Sequence, residues 1–162
     1  MKKVLREHFK SIRRKMSEKE KADADKAIFK KLTALDVVRN AETVLCYDSM
    51  PIEVDTKRFV AWCEQCGKRV IFPTVMDDMS LTFDGEVLFD KRTVCVTPAL
   101  SVTNHTGRMV EQNHRLGFGG GCYDRFLSEF RGVSIVLCYE CCVAEKLPTE
   151  HTDVPLDIMV CG

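Results

Sequence analysis

The sequence predicts an α/β fold in which a mainly parallel sheet is covered by helices. Short, continuous apolar runs, typical of strands buried on both faces, recur between stretches with helical periodicity. This alternation along the chain favours parallel strands joined by crossover helices. An Asp-Gly pair at 84–85, between two alternating runs, predicts an additional hairpin. Because the 162 residues contain no linker or internal repeat, we expect one domain spanning residues 1–162.

Apolar, β-branched runs predict the strands of the parallel sheet. The predicted strands are 43–47, 69–72, 93–97, 133–139 and a last one near 158–161. Pro73 and Pro98 follow two of these runs directly, and we expect each proline to end its strand.

Apolar residues at helical spacing predict the helices. The predicted helices are 4–16, one after the capping box at 17–20, 55–66, 123–130 and a short one near 142–146. Residues 99–121 are rich in polar residues and glycine and lack a clear period, so the pattern predicts a long loop there.

Composition and charge exclude several classes of protein. Lys plus Arg and Asp plus Glu number 24 each, so no global basic field argues for nucleic acid as a partner. The first ten residues are basic but lack the apolar stretch of a signal peptide, and no apolar run approaches the roughly 18 residues that span a bilayer. We expect a cytoplasmic protein without a membrane partner, in which any anion site is local.

The nine cysteines are expected to be reduced and structural. Several stand inside apolar runs, where a free cysteine behaves as a small hydrophobic residue. Cys63 and Cys66 form one CxxC pair, and Cys138 and Cys141 formally form another. The gap between the pairs greatly exceeds the roughly 15–20 residues typical of a zinc site, so the spacing argues against a metal centre.

A glycine cluster directly before a predicted helix is the richest candidate site. Four glycines lie within 117–121, flanked by Arg115 and Arg125, with Asp124 in the first helical turn. Glycine allows backbone N–H groups to approach a ligand closely, and the helix terminus adds a partial positive charge. Phosphate fits this arrangement, and Asp124 suits Mg²⁺. A flexible glycine turn accounts for the cluster equally well, because no Walker A or dinucleotide fingerprint is present.

The segment RLGFGGGCYDRFL at 115–127 resembles the RLGxGxGYYDxxL motif of the 5-formyltetrahydrofolate cyclo-ligase family. Four further segments resemble family motifs in the same order along the chain. They are similar to the family's KxxLR, EVDT, GKxVxxP and LPxxxHDxPLD stretches, and lie at 2–6, 47–56, 67–73 and 147–157. The resemblance therefore covers nearly the whole chain.

The resemblance implies a fold and a reaction. The fold is a three-layer α/β/α sandwich with a mainly parallel sheet plus a hairpin, similar to that of the CoA-transferase and ribose-phosphate isomerase group. In the reaction, ATP phosphorylates the formyl oxygen of 5-formyltetrahydrofolate, N10 attacks the activated carbon, and phosphate leaves to give 5,10-methenyltetrahydrofolate. The cofactors would be ATP and Mg²⁺, and the protein would be a monomer whose partners are ATP and a reduced folate.

The resemblance also implies the site residues. ATP would contact basic side chains and loop residues, namely Lys2, Lys3, Arg6, Arg115, Gly117, Gly119, Gly120, Gly121 and Tyr123. The folate would contact Met50, Glu53, Phe118 and Cys122. Arg115 and Asp124 would be catalytic, and Asp124 and Asp153 would bind Mg²⁺. By the residues alone, Lys2 and Arg6 equally fit a solvated basic face, Glu53 an ordinary surface carboxylate and Met50 a core residue.

The chain departs from the family pattern at two places, and both affect the predicted contacts with the folate. Cys122 stands where the family has the first tyrosine of its GYYD motif, and the stretch at 98–114 lacks the usual Phe-Asp pair. Two other hypotheses therefore stay open. One is a non-catalytic relative that binds nucleotide or folate, and the other is a small phosphotransferase acting on another formyl or amide substrate.

Overall fold

The structure is a computed structural model, and it describes residues 1–84, 90–106 and 111–162. The helices of the described ranges are α1 (Lys2–Arg14), α2 (Glu18–Ala34), α3 (Asp36–Arg39), α4 (Lys57–Gln65) and α5 (Cys122–Leu127). The strands are β1 (Thr43–Cys46), β2 (Arg69–Ile71), β3 (Pro73–Val75), β4 (Leu81–Phe83), β5 (Thr93–Pro98), β6 (Ser101–Thr106), β7 (Glu111–Leu116), β8 (Val133–Cys138) and β9 (Ile158–Cys161). A single 3-10 turn within these ranges covers Glu140–Cys142.

The predicted parallel sheet is confirmed. Among the described residues, five strands pair in parallel in the spatial order β2-β1-β5-β8-β9. Every residue of β5 is buried, and so are the last five residues of β8. Since successive residues of a strand point to opposite faces, both faces of the sheet centre are covered. The α/β prediction from continuous apolar runs therefore holds.

The helices form largely where their periodicity predicts them. The capping box is present, with the Glu20 amide donating to Ser17 Oγ at 3.0 Å and the Ser17 amide to Glu20 Oε1 at 3.2 Å. This exchange satisfies two amides that the first turn of α2 leaves unpaired. The second helix packs against β9 and α4, and α4 packs against β2. No helix in the described part of the chain combines the length and apolar character that a membrane crossing requires.

The prediction of a long loop over 99–121 was wrong for its first part. Strands β6 and β7 form an antiparallel ladder that pairs Ser101 with Leu116 and continues to Thr106 opposite Glu111. The buried positions of β6 include the hydroxyl residues Ser101 and Thr103 on either side of Val102, so the strand shows no apolar alternation. Their hydroxyls are satisfied by backbone carbonyls, as in the 2.6 Å bond from Ser101 Oγ to the carbonyl of Cys142. Buried polar groups with partners carry little penalty, so such a hairpin is stable.

Several smaller predictions also needed correction. The short helix near 142–146 is instead the 3-10 turn at 140–142. Pro73 does not simply end a strand, because it begins β3, which pairs antiparallel with β4. The Asp-Gly hairpin stays a prediction, because its second half at 85–89 lies outside the described residues; β4 pairs with β3, which precedes it in the chain. The helix expected to reach 130 ends at 127.

Five of the nine cysteines are buried as small hydrophobic residues, whereas Cys66 and Cys141 are exposed and Cys122 and Cys161 are half-buried. All nine fall in the described ranges, all are free thiols, and Cys46, Cys95 and Cys138 lie fully buried in the central strands. Burial raises the pKa of Cys63 and of Cys95 to about 12, which keeps both as thiols. Among the described residues, no group of three or more candidate ligands is poised to hold a metal ion.

Candidate functional site

A cavity of about 890 Å³ opens at the carboxyl edge of the parallel sheet. Ligands of open α/β sheets bind at this edge because the loops after the strands converge there. Its walls come from the first turns of α1, the β3–β4 hairpin, the end of β5, the glycine segment and the start of α5, and residues 150–154. The segments that the sequence singled out from opposite ends of the chain therefore meet in one place.

The backbone of the glycine segment requires glycine at two positions. Gly119 and Gly121 have φ angles of 123° and 67°, in the left-handed region that other residues avoid. Gly121 is the N-cap of α5, so its conformation sets the direction in which that helix starts. At Gly117 a Cβ would stand 2.8 Å from Nη2 of Arg115. The cluster thus has a defined backbone conformation at the start of α5.

Three cations approach this loop. Lys2 and Arg6 lie one helical turn apart on α1, and Arg6 Nε donates to the carbonyl of Gly117 at 2.9 Å. Arg115 Nε donates to the carbonyl of Pro98 at 3.0 Å. Burial lowers the pKa of Arg115, and the nearby carboxylate of Asp124 opposes that shift. The guanidinium stays charged, because an arginine pKa begins above 12.

Arg115 also stacks on the aromatic residue of the loop. Its guanidinium carbon lies 5.2 Å from the ring centroid of Tyr123, within the range of a cation–π contact. The stacking restricts the plane of the guanidinium, so its remaining N–H donors face a defined direction. Planar, oriented donors of this kind recognise phosphate oxygens.

The two candidate metal ligands, Asp124 and Asp153, are brought together although 29 residues separate them in sequence (153 minus 124). Asp124 Oδ1 accepts from the amide of Val154 at 3.2 Å. Asp153 Oδ2 accepts from Lys2 Nζ at 2.8 Å and from the amide of Glu150 at 2.9 Å. Burial would raise the pKa of Asp153, but these two hydrogen bonds, together with the charges of Lys2 and His114, outweigh it and hold the pKa below its usual value.

The candidate folate residues divide between the cavity and its surroundings. Phe118 and Cys122 line the cavity, whereas Met50 and Glu53 do not. Met50 is 67% exposed and Glu53 only 8%, so neither the core methionine nor the surface carboxylate anticipated as alternatives is present. Burial is the main cause that raises the pKa of Tyr123, followed by Cys95, and the Glu53 carboxylate adds only the smallest contribution.

Glu53 is held in a tight turn with Met50. The Glu53 amide donates to the Met50 carbonyl at 2.9 Å, and the Met50 amide donates to Glu53 Oε1 at 2.8 Å. Burial raises the pKa of Glu53, while the Met50 amide and the charge of Arg13 lower it in part. Each carboxylate oxygen has two lone pairs, so the carboxylate can still accept from a ligand.

Some positions differ from expectation or were missed. Lys3 is exposed and is not among the cavity's lining residues, so its contact with a ligand stays a prediction. Glu150 and His151 line the cavity and were not singled out, although they stand inside the 147–157 segment. The missing information was the proximity of Glu150 to Lys2, which depends on a contact between distant parts of the chain.

The fold and the cavity define an α/β protein with a glycine loop, lined by cationic side chains, at the carboxyl edge of a parallel sheet. The particular family follows from comparison with known proteins. The model of the 5-formyltetrahydrofolate cyclo-ligase family matches residues 1–87 and 83–162. The chain belongs to that family.

Curated relatives agree with this assignment. The 5-formyltetrahydrofolate cyclo-ligase of Escherichia coli K12 is 25% identical over 148 residues, which is 74% of this chain and 78% of that protein. The enzyme of the same name from Haemophilus influenzae is 50% identical over 54 residues, but this match covers only 31% of this chain and 29% of that protein.

Solved structures show the same architecture. A 5,10-methenyltetrahydrofolate synthetase from Mycoplasma pneumoniae superposes with a TM-score of 0.81 at 26% identity, covering 98% of this chain and 97% of that one. The synthetase from Aquifex aeolicus gives a TM-score of 0.78 at 24% identity, covering 99% and 89%, and supports the fold alone.

Proposed function

We propose that this protein converts 5-formyltetrahydrofolate to 5,10-methenyltetrahydrofolate with hydrolysis of ATP to ADP and phosphate. The observation that carries the proposal is the convergence of the glycine loop, Lys2, Arg6, Arg115 and two carboxylates in one cavity. Phosphoryl transfer is catalysed mainly by positioning and charge neutralisation, and these groups supply both. Membership of the cyclo-ligase family gives the substrate.

The loop side of the cavity would bind the ATP phosphates. Residues 117–121 line the cavity, and Lys2, Arg6 and Arg115 supply positive charge around them. Arg115 is the strongest candidate for the transferred phosphoryl group, because Tyr123 and the Pro98 carbonyl hold its guanidinium in one plane. Lys3 is proposed as an outer contact that acts through charge alone.

Asp124 and Asp153 fit Mg²⁺. They present hard carboxylate oxygens on the same cavity wall, and no third such ligand completes a metal cage in the described part of the chain. Mg²⁺ suits an incomplete protein site, since it retains waters and binds substrate phosphates. When bound, the ion would neutralise charge on the transferring phosphoryl group. Lys2 would then exchange its contact with Asp153 for a phosphate oxygen.

The folate would lie toward Phe118, Cys122 and the Met50–Glu53 turn. Phe118 and the thiol of Cys122 offer an apolar wall, and Glu53 offers a carboxylate that pairs with adjacent ring N–H donors. This arrangement would hold the formyl oxygen toward the terminal phosphate. The oxygen attacks phosphorus and ADP leaves; N10 then attacks the activated carbon, loses its proton, and phosphate departs with the former formyl oxygen.

An absorbance assay near the methenyl-folate band tests the proposal with purified protein, Mg·ATP and 5-formyltetrahydrofolate. The expected result is a rise in absorbance that requires ATP and is matched by ADP formation. Binding of ATP without either product would favour a non-catalytic binding protein. Formation of ADP with another formyl or amide compound, but not with the folate, would favour a different phosphotransferase.

Lys2→Met is expected to raise the KM for ATP about tenfold, because one charge-assisted phosphate contact is lost. It should also lower the free energy of unfolding at pH 7 by at most about 1 kcal/mol, since Asp153 loses its cation. The Asp153 pKa is lower in the folded protein than in the unfolded chain. The Lys2–Asp153 pair therefore stabilises the fold at pH values above the unfolded pKa, and this stabilisation is lost as the pH falls through the folded pKa. Wild type and variant should therefore converge in acid.

Steady-state kinetics and chemical denaturation at several pH values make both measurements. Lys10→Met is the matched control, because Lys10 lies two turns further along α1 and pairs only with Glu7 among the described residues. If the KM for ATP of Lys2→Met equals that of the control, Lys2 does not contact the phosphates and belongs to a solvated basic face.

Glu53→Gln is expected to raise the KM for the folate about a hundredfold and the KM for ATP less than about threefold, because a charge-assisted pairing is lost only on the folate side. The variant should be no less stable than wild type at pH 8. The pKa of Glu53 is raised by burial, so the stability that the carboxyl group contributes is lost as the pH rises through the folded pKa.

Kinetics with each substrate varied in turn, together with thermal melts at pH 5 and pH 8, provide the test. Glu64→Gln on the exposed side of α4 is the control for loss of a carboxylate. Equal weakening of both substrates would assign Glu53 a general structural role.

We also propose that the chain acts as one domain over residues 1–162, as a monomer in the cytoplasm. The continuous sheet supports a single domain, because β1 and β9 belong to it from distant parts of the chain. Sedimentation at micromolar concentration tests the oligomeric state directly.

A further inference from the structure

Successive backbone groups beside Glu53 are held by buried side chains from separate elements. The carbonyls of residues 52–54 accept in turn from Arg13 Nη1, Tyr139 Oη and Tyr47 Oη, at 3.2, 3.3 and 2.8 Å. Arg13 belongs to α1, Tyr47 follows β1 and Tyr139 follows β8. All three donors are at least nine-tenths buried. These contacts are named the carbonyl clamp, after the three accepting carbonyls.

The next backbone group is fixed as well. The amide of Asp55 donates to Asp25 Oδ1 at 3.2 Å, and the same oxygen accepts from Tyr139 Oη at 2.6 Å. Tyr139 thus shares its one hydroxyl proton between this carboxylate and the carbonyl of Glu53. The turn that carries Glu53 is therefore tied to α1, α2, β1 and β8 within four residues.

Burying Arg13 here costs free energy, so its presence is explained only if the positive charge or the planar set of N–H donors of the guanidinium is needed. Its remaining donors reach the carbonyls of Ala99 and Leu100, the latter at 3.0 Å, so it bridges two sheet loops. It makes no ion pair within the described ranges, and its Nε is buried without a partner. A buried guanidinium facing neutral carbonyls bears a large desolvation cost. An apolar residue would pack α1 at lower cost, which points to a role beyond packing.

The guanidinium and the tyrosine support each other. The Arg13 guanidinium carbon lies 5.2 Å from the centroid of the Tyr139 ring, so each limits the rotation of the other. Arg13 is also a cation close enough to act on the Glu53 carboxyl, together with Lys57 and against Asp48. Arg13 therefore acts on Glu53 in two ways, through hydrogen bonds to the turn that carries it and through its positive charge.

We propose that Arg13 and Tyr139 are positioning residues that hold the Glu53 carboxyl in the orientation the folate ring requires. The inference rests on the proposed function, because it assumes that Glu53 contacts the folate. Ordering one backbone residue costs conformational entropy, so a turn fixed before the ligand arrives binds more tightly than a loose one. The clamp raises folate affinity without touching either substrate.

Tyr139→Phe and Arg13→Lys test this inference, since the first removes only a hydroxyl and the second keeps the charge but loses the fork. Both are expected to raise the KM for 5-formyltetrahydrofolate about tenfold, with kcat and the KM for ATP changed less than about threefold. Arg14→Met, which removes an exposed cation from the same helix, is the control. A change in the KM values for both the folate and ATP, or in neither, overturns the inference. If Arg13→Lys does not fold, the result for Tyr139→Phe decides.

A double-variant cycle separates positioning from general stability. If Tyr139 acts through Glu53, then Tyr139→Phe in a Glu53→Gln background should leave the folate KM unchanged from Glu53→Gln alone. Additive effects would overturn the inference.

Calorimetric binding of the folate without ATP distinguishes the two proposals. If wild type binds the folate but makes no product, the proposed reaction is wrong. The inference about the clamp is then tested by whether Tyr139→Phe and Arg13→Lys raise the Kd for the folate about tenfold. If wild type makes product and the clamp variants match it, only the clamp fails. If wild type binds no folate, both are overturned.

Discussion

Asp124→Asn is expected to lower kcat by about a thousandfold or more, because a carboxylate that holds Mg²⁺ against the phosphates contributes several kcal/mol to the transition state. The fold should persist, since the amide oxygen of asparagine can still accept from the amide of Val154, as Asp124 Oδ1 does at 3.2 Å. The loss should shrink as Mg²⁺ is raised, because the weakened site fills at higher concentration. Initial rates over a Mg²⁺ titration, with thermal melts alongside, measure both effects.

The control for this variant is Glu129→Gln, which removes an exposed carboxylate five residues further along the chain. Its rate and Mg²⁺ dependence should equal those of wild type. A normal rate for Asp124→Asn would remove Asp124 from the mechanism and leave Asp153 as the remaining candidate ligand.

Arg115→Lys is expected to reduce kcat/KM for ATP about a hundredfold, because one ammonium cannot reproduce a planar fork stacked on Tyr123. The reduction should grow with pH. Burial at this position lowers the pKa of the side chain, and a lysine there starts from about 10.4, so it can lose its proton near the assay range. The bond to the Pro98 carbonyl is also at risk, and its loss would cost about 1 kcal/mol of stability.

The pH–rate profile from about pH 6 to about pH 9.5 measures this dependence. Arg92→Lys is the matched control, since Arg92 is exposed and pairs with Glu42 at 3.0 Å. A profile parallel to that of wild type would show that charge alone is sufficient at this position and that the stacked geometry is not used.

The central sheet was predictable because its strands bury both faces. Runs such as 93–97 and 133–139 consist of apolar residues and small hydroxyl residues with no charge, and at this length the pattern is typical of buried parallel strands. The glycine turn ahead of α5 was predictable for a related reason, since glycines directly before a helical pattern indicate a turn at the helix N-terminus; phosphate binding by this segment stays a prediction. Local patterns sufficed in both cases.

The β6–β7 hairpin was not predictable from such patterns. Its inward positions include Ser101 and Thr103, whose hydroxyls are buried by bonding to carbonyls from the segment after β8. Those acceptors lie far away in the chain, at separations of 41 and 42 residues. Polarity at buried positions depends on such distant partners, and a periodicity argument contains no information about them.

The buried position of Arg13 was not predicted, because its local sequence is typical of an exposed basic residue. It stands four residues after Phe9, on the buried face of α1, but the helix as a whole is strongly basic and suits a solvated face. Nothing local separates Arg13 from its exposed neighbour Arg14. The approach of Asp124 to Asp153 was likewise beyond local inference, although each residue was singled out by its motif.

The contact between Lys2 and Asp153 spans 151 positions, and it has a consequence for how the protein is made. A ribosome releases the basic first helix long before the carboxylate that receives it. Contacts of such high sequence separation form late, because the intervening chain must first be ordered. A nascent chain that ends before residue 150 has Lys2 without either of its carboxylate partners, Glu150 and Asp153, so this wall of the cavity forms only after that segment has left the ribosome.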